Sequence, residues 1–371
     1  RELGSEGGDW YSNALTVADI DGDGHLDIIV GNYFPDNAEI LNAASKKNTF
    51  MQHSMSKAFN GGENRVLLFQ AATSGEEPDA QYREAEVDLP EEVLNGWTLA
   101  VGAADLNGDL LPEIYFANDF GPDRLLYNQS TPGKVALKVL KGMEGGDSPK
   151  SNVLGEDSFK GMGVEFIDLN DDGLLDIFVS NIAEEYALLE NHFAFINTGE
   201  TEQMAQGVAP FLNESEDLGL SRSSWAWDAK AADFDNNGSA EVVQATGFVK
   251  GEENGWPMLQ ELATGNDELL RLPKVWPLFR GRIDLSGHVA NAFFVKGENG
   301  VYKDQANAVG LGKPTVSRGV ATADVDGDGK VDLAIANQWD KSYFYHNVTR
   351  DVGDYVGLHL MVPVDTRLGR T

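Results

Sequence analysis

Asp324-Val-Asp-Gly-Asp-Gly-Lys-Val-Asp332 places oxygen-bearing side chains at loop positions 1, 3, 5 and 9 and leaves the main-chain carbonyl of position 7 to complete the set. Four further stretches repeat the design, at Asp19–Asp27, Asp105–Glu113, Asp168–Asp176 and Asp233–Glu241. The candidate ligands are Asp19, Asp21, Asp23, His25 and Asp27 in the first loop, and Asp105, Asn107, Asp109, Leu111 and Glu113 in the second. The third offers Asp168, Asn170, Asp172, Leu174 and Asp176, the fourth Asp233, Asp235, Asn237, Ser239 and Glu241, and the fifth Asp324, Asp326, Asp328, Lys330 and Asp332. His25, Leu111, Leu174, Ser239 and Lys330, all at position 7, enter through their carbonyls. Hard oxygen donors crowded onto one turn suit Ca²⁺, which takes about six to eight oxygens in a flexible shell. About five ions are therefore expected, each holding a turn whose acidic side chains would otherwise repel one another.

An EF-hand loop starts with the same pattern but needs a bidentate Glu at position 12 and a helix on either side. Position 12 here is Val30, Phe116, Val179, Gln244 and Ile335. Each loop runs instead into a short apolar stretch: Ile28–Val30, Ile114–Phe116, Ile177–Val179, Val242–Val243 and Leu333–Ile335. Bounded by Gly, Asn and Asp, these stretches read as buried strands. A small-residue strand precedes each loop, as in Ala14–Asp19 and Gly319–Asp324, and a later apolar run often ends in Asn, as in Leu125–Asn128 and Tyr343–Asn347. Several short strands per repeat predict an all-β ring of small sheets, a β-propeller. Loop starts at 19, 105, 168, 233 and 324 are 86, 63, 65 and 91 residues apart. The long intervals require either insertions or blades that lack the acidic loop. Residues 248–287 read as an insertion, because Trp256–Leu262 and Asp267–Arg271 have helical spacing, and residues 35–64 read as a loop with a short helix.

The Ala-Asp-x-Asp-x-Asp-Gly loops and their flanking strands resemble FG-GAP (VCBS-type) repeats, the calcium-binding blades of integrin α subunits. Ala336-Asn-Gln338, Phe344-Tyr-His-Asn347 and Gly310-Leu311 are more similar still to the cartilage-acidic-protein family and its bacterial relatives. The resemblance implies seven blades over residues 1–350, with five or six the alternative if both long intervals are single blades carrying insertions, and residues 351–371 as the start of an ASPIC/UnbV-like segment. Such repeats specify fold and metal more closely than activity.

The chain carries 28 Lys and Arg against 60 Asp and Glu, a net charge of −32, which argues against nucleic-acid partners. There is no cysteine and no apolar run that would span a membrane. The expectation is an exported protein, extracellular, on the cell surface or periplasmic, of bacterial type, read here as a mature chain or a piece of a longer one. Glycosylation triplets begin at Asn128, Asn213, Asn237 and Asn347.

No catalytic motif stands out. His25, His53, His192, His288, His346 and His359 are scattered, and neither His-Glu-x-x-His nor Gly-x-Ser-x-Gly occurs. The expectation is a non-enzymatic module that binds a protein or glycan, with calcium in a structural role. Two alternatives differ in kind: a calcium-dependent polysaccharide lyase drawing on Arg271, Lys274, Arg280 and Arg282, and a purely structural assembly subunit. Trp225 and Trp227, two apart in a strand, face one side and are expected to pack between blades. Recognition is expected in the insertions, where Trp256, Trp276, Phe279, Arg280 and Arg282 combine aromatic and guanidinium groups.

Overall fold

The computed structural model describes residues 9–47, 51–143, 149–184, 190–265, 267–276, 281–350 and 352–357. Phe279, Arg280, His359 and most of the ASPIC/UnbV-like segment lie outside them.

Each acidic loop joins the first two strands of one small antiparallel sheet. The first blade is β1 (Ser12–Ala18), β2 (Asp27–Asn32), β3 (Arg65–Thr73) and β4 (Asp79–Glu84). A short helix, α1 (Glu91–Leu94), leads to the second, β5 (Thr98–Ala104), β6 (Glu113–Asn118), β7 (Arg124–Asn128) and β8 (Leu137–Gly142). The third is β9 (Gly163–Ile167), β10 (Asp176–Ser180) and β11 (Phe193–Asn197), closed by β13 (Phe211–Asn213). Just before β13, β12 (Val208–Ala209) pairs in parallel with β8 and ties the second blade to the third. The fourth blade contains β14 (Ala226–Ala232), β15 (Glu241–Thr246), β18 (Ala292–Lys296) and β19 (Tyr302–Asp304). The fifth contains β20 (Ser317–Ala323), β21 (Asp332–Asn337) and β22 (Tyr343–Tyr345).

The described residues thus build five blades, and the expectation of seven is corrected. Both long intervals are single blades with an insertion between their second and third strands. In the fourth blade the insertion holds β16 (Glu253–Asn254), α2 (Trp256–Ala263), α3 (Asp267–Leu270) and β17 (Ile283–Asp284). In the first blade the described part of residues 35–64 is turns and bends, with no helix.

The strands alternate their side chains between two neighbours, so the core consists of four layers, one per interface. Ile20, Ile29 and Leu68 meet Ile114, Phe116 and Leu126 between the first two blades. Tyr115 and Leu125 meet Ile177, Val179 and Phe195 between the second and third. Phe178 and Ile196 meet Val242 and Phe294 at the next interface, and Val243 and Phe293 meet Val320 and Ile335 at the last. The inner strands approach closely because they are rich in Ala and Gly: a Cβ on Gly102 would lie 2.6 Å from the Phe166 ring. Packing runs in series from β1 through β5, β9 and β14 to β20. No comparable packing joins the fifth blade to the first among the described residues.

This topology separates two rims. The acidic loops, all between first and second strands, gather at one: Ser239 Oγ lies 3.1 Å from Asp171 of the preceding blade's loop, and Asn236 Nδ2 donates to the Gly329 carbonyl of the following one at 3.0 Å. The insertions emerge at the opposite rim and meet there, with Met51 N–H donating to the Arg271 carbonyl at 3.2 Å. Trp276 stands edge-on to Phe120 of the second blade, ring centroids 6.1 Å apart. Among the described residues no helix is long and apolar enough to cross a membrane.

Candidate functional site

The acidic loops are shaped first by their own backbone. The position 1 carboxylate accepts two turn amides: Asp19 takes the Asp23 N–H at 3.0 Å and the Gly24 N–H at 2.7 Å. Asp168, Asp233 and Asp324 do the same with their own loops. Position 5 accepts the position 7 amide in all five, as Asp172 does from Leu174 at 2.8 Å. Position 6 needs a left-handed backbone, supplied by Gly24, Gly173, Gly238 and Gly329 at φ 83° to 93°. In the second loop Leu110 is forced to φ 73°.

Position 9 sits deeper and works across the sheet. One oxygen takes the position 2 amide, from Ile20 to Asp27 at 3.0 Å, Leu106 to Glu113 at 2.9 Å and Leu169 to Asp176 at 2.8 Å. Phe234 to Glu241 and Val325 to Asp332 span 2.8 and 3.2 Å. In four loops the other oxygen takes an amide in the third strand or, in the fifth blade, just beyond it, as Asp176 does from Asn197 at 2.8 Å. Burial pushes this carboxyl upward in the four loops that have a following blade: Asp27 is raised, Asp176 reaches about 6, and Glu113 and Glu241 reach about 7. In the last blade the Asn347 amide holds Asp332 below its ordinary value.

Three loops bring carboxylates together at positions 1, 3 and 9. Asp19, Asp21 and Asp27 each offer an oxygen within 4.8 Å of the others, as do Asp233, Asp235 and Glu241, and Asp324, Asp326 and Asp332. In the second and third loops position 3 is Asn107 or Asn170, so that corner presents an amide oxygen instead. Position 5 carboxylates stand apart from these triads. Asp328 is held by Lys330 Nζ at 2.7 Å, and Asp23 by His25 Nδ1 at 3.0 Å, whose ring stacks on Phe69. The donor sets are all-oxygen and mostly anionic, which fits a hard divalent cation and not a soft transition metal.

Two groups beside the loops escaped the sequence reading. Asp171, at position 4 of the third loop, receives Lys296 Nζ at 2.6 Å and so joins two blades. The Asn that closes the third strand is an inter-blade clasp: Asn128, Asn197 and Asn347 donate to the position 2 carbonyls Ile20, Leu106 and Phe234 of the preceding blade at 2.9, 3.2 and 2.7 Å. At the third-to-fourth interface the Tyr302 hydroxyl takes the role on Leu169, at 3.2 Å. The repeated Asn was visible in the sequence, but its partner 91 to 113 residues away was not.

At the opposite rim, Trp225 and Trp227 do share one side, with rings 6.0 Å apart and 19° from parallel. They pack with Phe248, Leu285 and the insertion's Trp256, and they also lie between blades as expected: Trp225 meets Met162 and Ile182 of the third blade, and Arg318 of the fifth lies over Trp227 at 4.4 Å. Arg282 pairs with Glu253 at 3.0 Å on the surface.

Comparison with known families matches residues 105–179 to the FG-GAP-like repeat and residues 12–45 and 317–349 to the FG-GAP repeat. The chain carries FG-GAP repeats on a β-propeller. Among curated proteins no match is found. Solved structures with a similar course include an Agrocybe aegerita lectin described as recognising non-reducing terminal N-acetylglucosamine, at 10% identity and TM-score 0.37 over 86% of this chain and 71% of that one. A BBS1N–ARL6DN complex gives 8% and 0.33, over 89% and 78%. The exotype rhamnogalacturonan lyase YesX gives 14% and 0.35, over 89% of this chain and 44% of the lyase. At these scores none of the three bears on function.

Proposed function

We propose that this chain is a calcium-stabilised binding module that works outside the cell, with metal at the acidic rim and a protein or glycan partner at the opposite, insertion-covered rim. One observation carries the reading: the anionic oxygen clusters and the two insertions occupy opposite ends of the blades. Calcium would be structural. Positions 1, 3, 5 and 9 with the position 7 carbonyl would hold it, and it would neutralise carboxylates that already brace the first three strands. The insertions are free of that duty, as binding segments on a rigid scaffold commonly are. Affiliation with the cartilage-acidic-protein (ASPIC/UnbV) family and integrin-like use of the blades belong to the same proposal.

The experiment is a thermal melt together with a glycan and extracellular-protein array, each run with calcium and after EDTA. A site filled at 100 times its Kd adds about 2.7 kcal/mol, so chelation of several should lower Tm by well over ten degrees, and readded Ca²⁺ should restore it. An unchanged melt after verified metal removal would sink the calcium reading. Failure of every array ligand in the calcium-loaded protein would favour a structural subunit.

A further inference from the structure

Beneath the insertions, where the inner strands begin, the axis widens into a cavity of about 390 Å³. Its floor includes Leu99, Met162 and Trp227, and its roof includes Met55 from the first blade's insertion and Leu259 and Leu262 from α2. A concave, mostly apolar pocket of a few hundred Å³ with a few polar groups at its edge is the usual form of a small-molecule site. A second cavity of about 370 Å³ adjoins it and shares Met55, Lys160 and Ala263 as walls. This one is polar, lined by Asn152, Asp157, Ser158, Asn181, Glu190 and Asn191.

Charge at the junction is already arranged. Buried Lys160 places its ammonium on Glu190. Asp119, on the wall of the apolar cavity, accepts the Tyr33 hydroxyl at 2.6 Å. Lys160 is thus matched, while Asp119 and Asp157 add negative charge nearby. Among the described residues, Glu190 Oε2 and Asn191 Oδ1 are buried with no donor in hydrogen-bond geometry, although the Asn181 side chain lies beside Glu190. Unpaired acceptors in a buried site are costly, and a donor brought by a ligand removes the cost.

We propose that the two cavities form one site for a small amphiphile, with an aromatic or aliphatic body in the apolar chamber and a neutral or cationic, hydrogen-bond-donating head beside Glu190 and Asn191. A free sugar does not suit the apolar chamber, where its hydroxyls would lose water without finding partners. A carboxylate or phosphate head meets acidic groups and a lysine that is already paired. The site is separate from the acidic loops and does not depend on the proposed partner of the outer rim.

The test uses 1-N-phenylnaphthylamine on the whole calcium-loaded chain, read by energy transfer from the tryptophans around the chamber. Saturable transfer is expected, displaced at least tenfold more effectively by decylamine and decanol than by decanoate. Leu259→Trp and Met55→Trp, from the two insertions, should each fill the chamber and weaken the probe at least tenfold with Tm within a few degrees of the parent. Glu190→Gln, which leaves Lys160 unmatched, should improve decanoate relative to decylamine. Absence of saturable transfer in the parent protein overturns the proposal without recourse to any variant. Unchanged affinity in both folded filling variants also overturns it, and equal displacement by decanoate and decylamine overturns the assignment of the head.

Discussion

The four interfaces between blades and the two outer faces of the end blades are built from the same repeat, yet they differ in how far they bury it. Position 2 of the acidic loop is 0% exposed as Ile20, 4% as Leu106, 0% as Leu169 and 8% as Phe234, but 61% exposed as Val325 in the fifth blade. The first four have a following blade to cover the side chain and a clasp on the carbonyl; among the described residues Val325 has neither. On the first blade, Leu15 and Val17 of β1 are exposed, whereas their register equivalents Val164 and Phe166 of β9 pack in the layer between the second and third blades. Position 9 is buried in all five blades, yet its carboxyl is pushed upward in the first four and held down in the last, where the Asn347 amide dominates. A blade therefore has no core of its own. The interface is the unit that folds, as in other arrays whose stability is a sum of nearest-neighbour terms.

The largest expected effect comes from that contrast. Leu169→Ala should cost about 2–5 kcal/mol, because the void opens inside a packed layer. Val325→Ala, the same position one interface beyond the last, should stay within about 0.5 kcal/mol. Denaturant unfolding of the two variants in calcium measures the difference. Equal losses would mean that Val325 is covered, and the contrast between inner and outer faces would collapse.

A blade flanked on both sides can also bury a group that an end blade leaves in water. His192 in the third blade lies fully inside, accepting the Asn181 N–H at 3.0 Å through Nδ1 and meeting Ser223 Oγ at 2.6 Å through Nε2. Burial pushes its pKa down to about 3. The folded imidazole stays neutral while the unfolded one takes up a proton near its ordinary value of about 6.5. Its contribution is thus complete above about pH 6.5 and is lost as pH falls toward 3, at up to about 1.4 kcal/mol per pH unit. Between pH 7.5 and pH 5 the parent should lose about 2 kcal/mol more than His192→Gln. Parallel stability curves for the two proteins would show that His192 is not held neutral.

The strands were legible because each acidic loop announces where one ends and the next begins: the apolar runs after Asp27, Glu113, Asp176, Glu241 and Asp332 all became second strands, fully buried in the first four blades and partly in the fifth. The blade count was not. An interval of 86 or 91 residues has room for a second blade or for an insertion, and length alone cannot choose between them. The helical spacing of Trp256–Leu262 pointed to an insertion in the fourth blade, while residues 35–64 could be read as an insertion only from their lack of strand alternation. The axial chamber was illegible for another reason. Phe34, Leu99, Met162 and Trp227 come from four different blades, and no local pattern in the sequence brings them to one axis. Trp225 and Trp227 were read on the correct face of their strand and do meet neighbouring blades, but that the insertion's Trp256 also packs on them had no cue in the sequence.

The smallest expected effect sharpens the comparison inside the loops themselves. Four loops put Gly at position 6, and the second puts Leu110 there at φ 73° with its side chain in solvent, so it gains no burial in return. A left-handed backbone costs an L-residue about 1–2 kcal/mol, while glycine's greater freedom when unfolded gives back about 0.5–1. Leu110→Gly should therefore stabilise the protein slightly, by about 0.5–1 kcal/mol, seen as a small rise in Tm with calcium present. Gly173→Leu, the reverse change in the third loop, should lower it by a similar amount. If Leu110→Gly instead destabilises, Leu110 has a partner at the acidic rim, and the second loop differs from the others by function and not by strain alone.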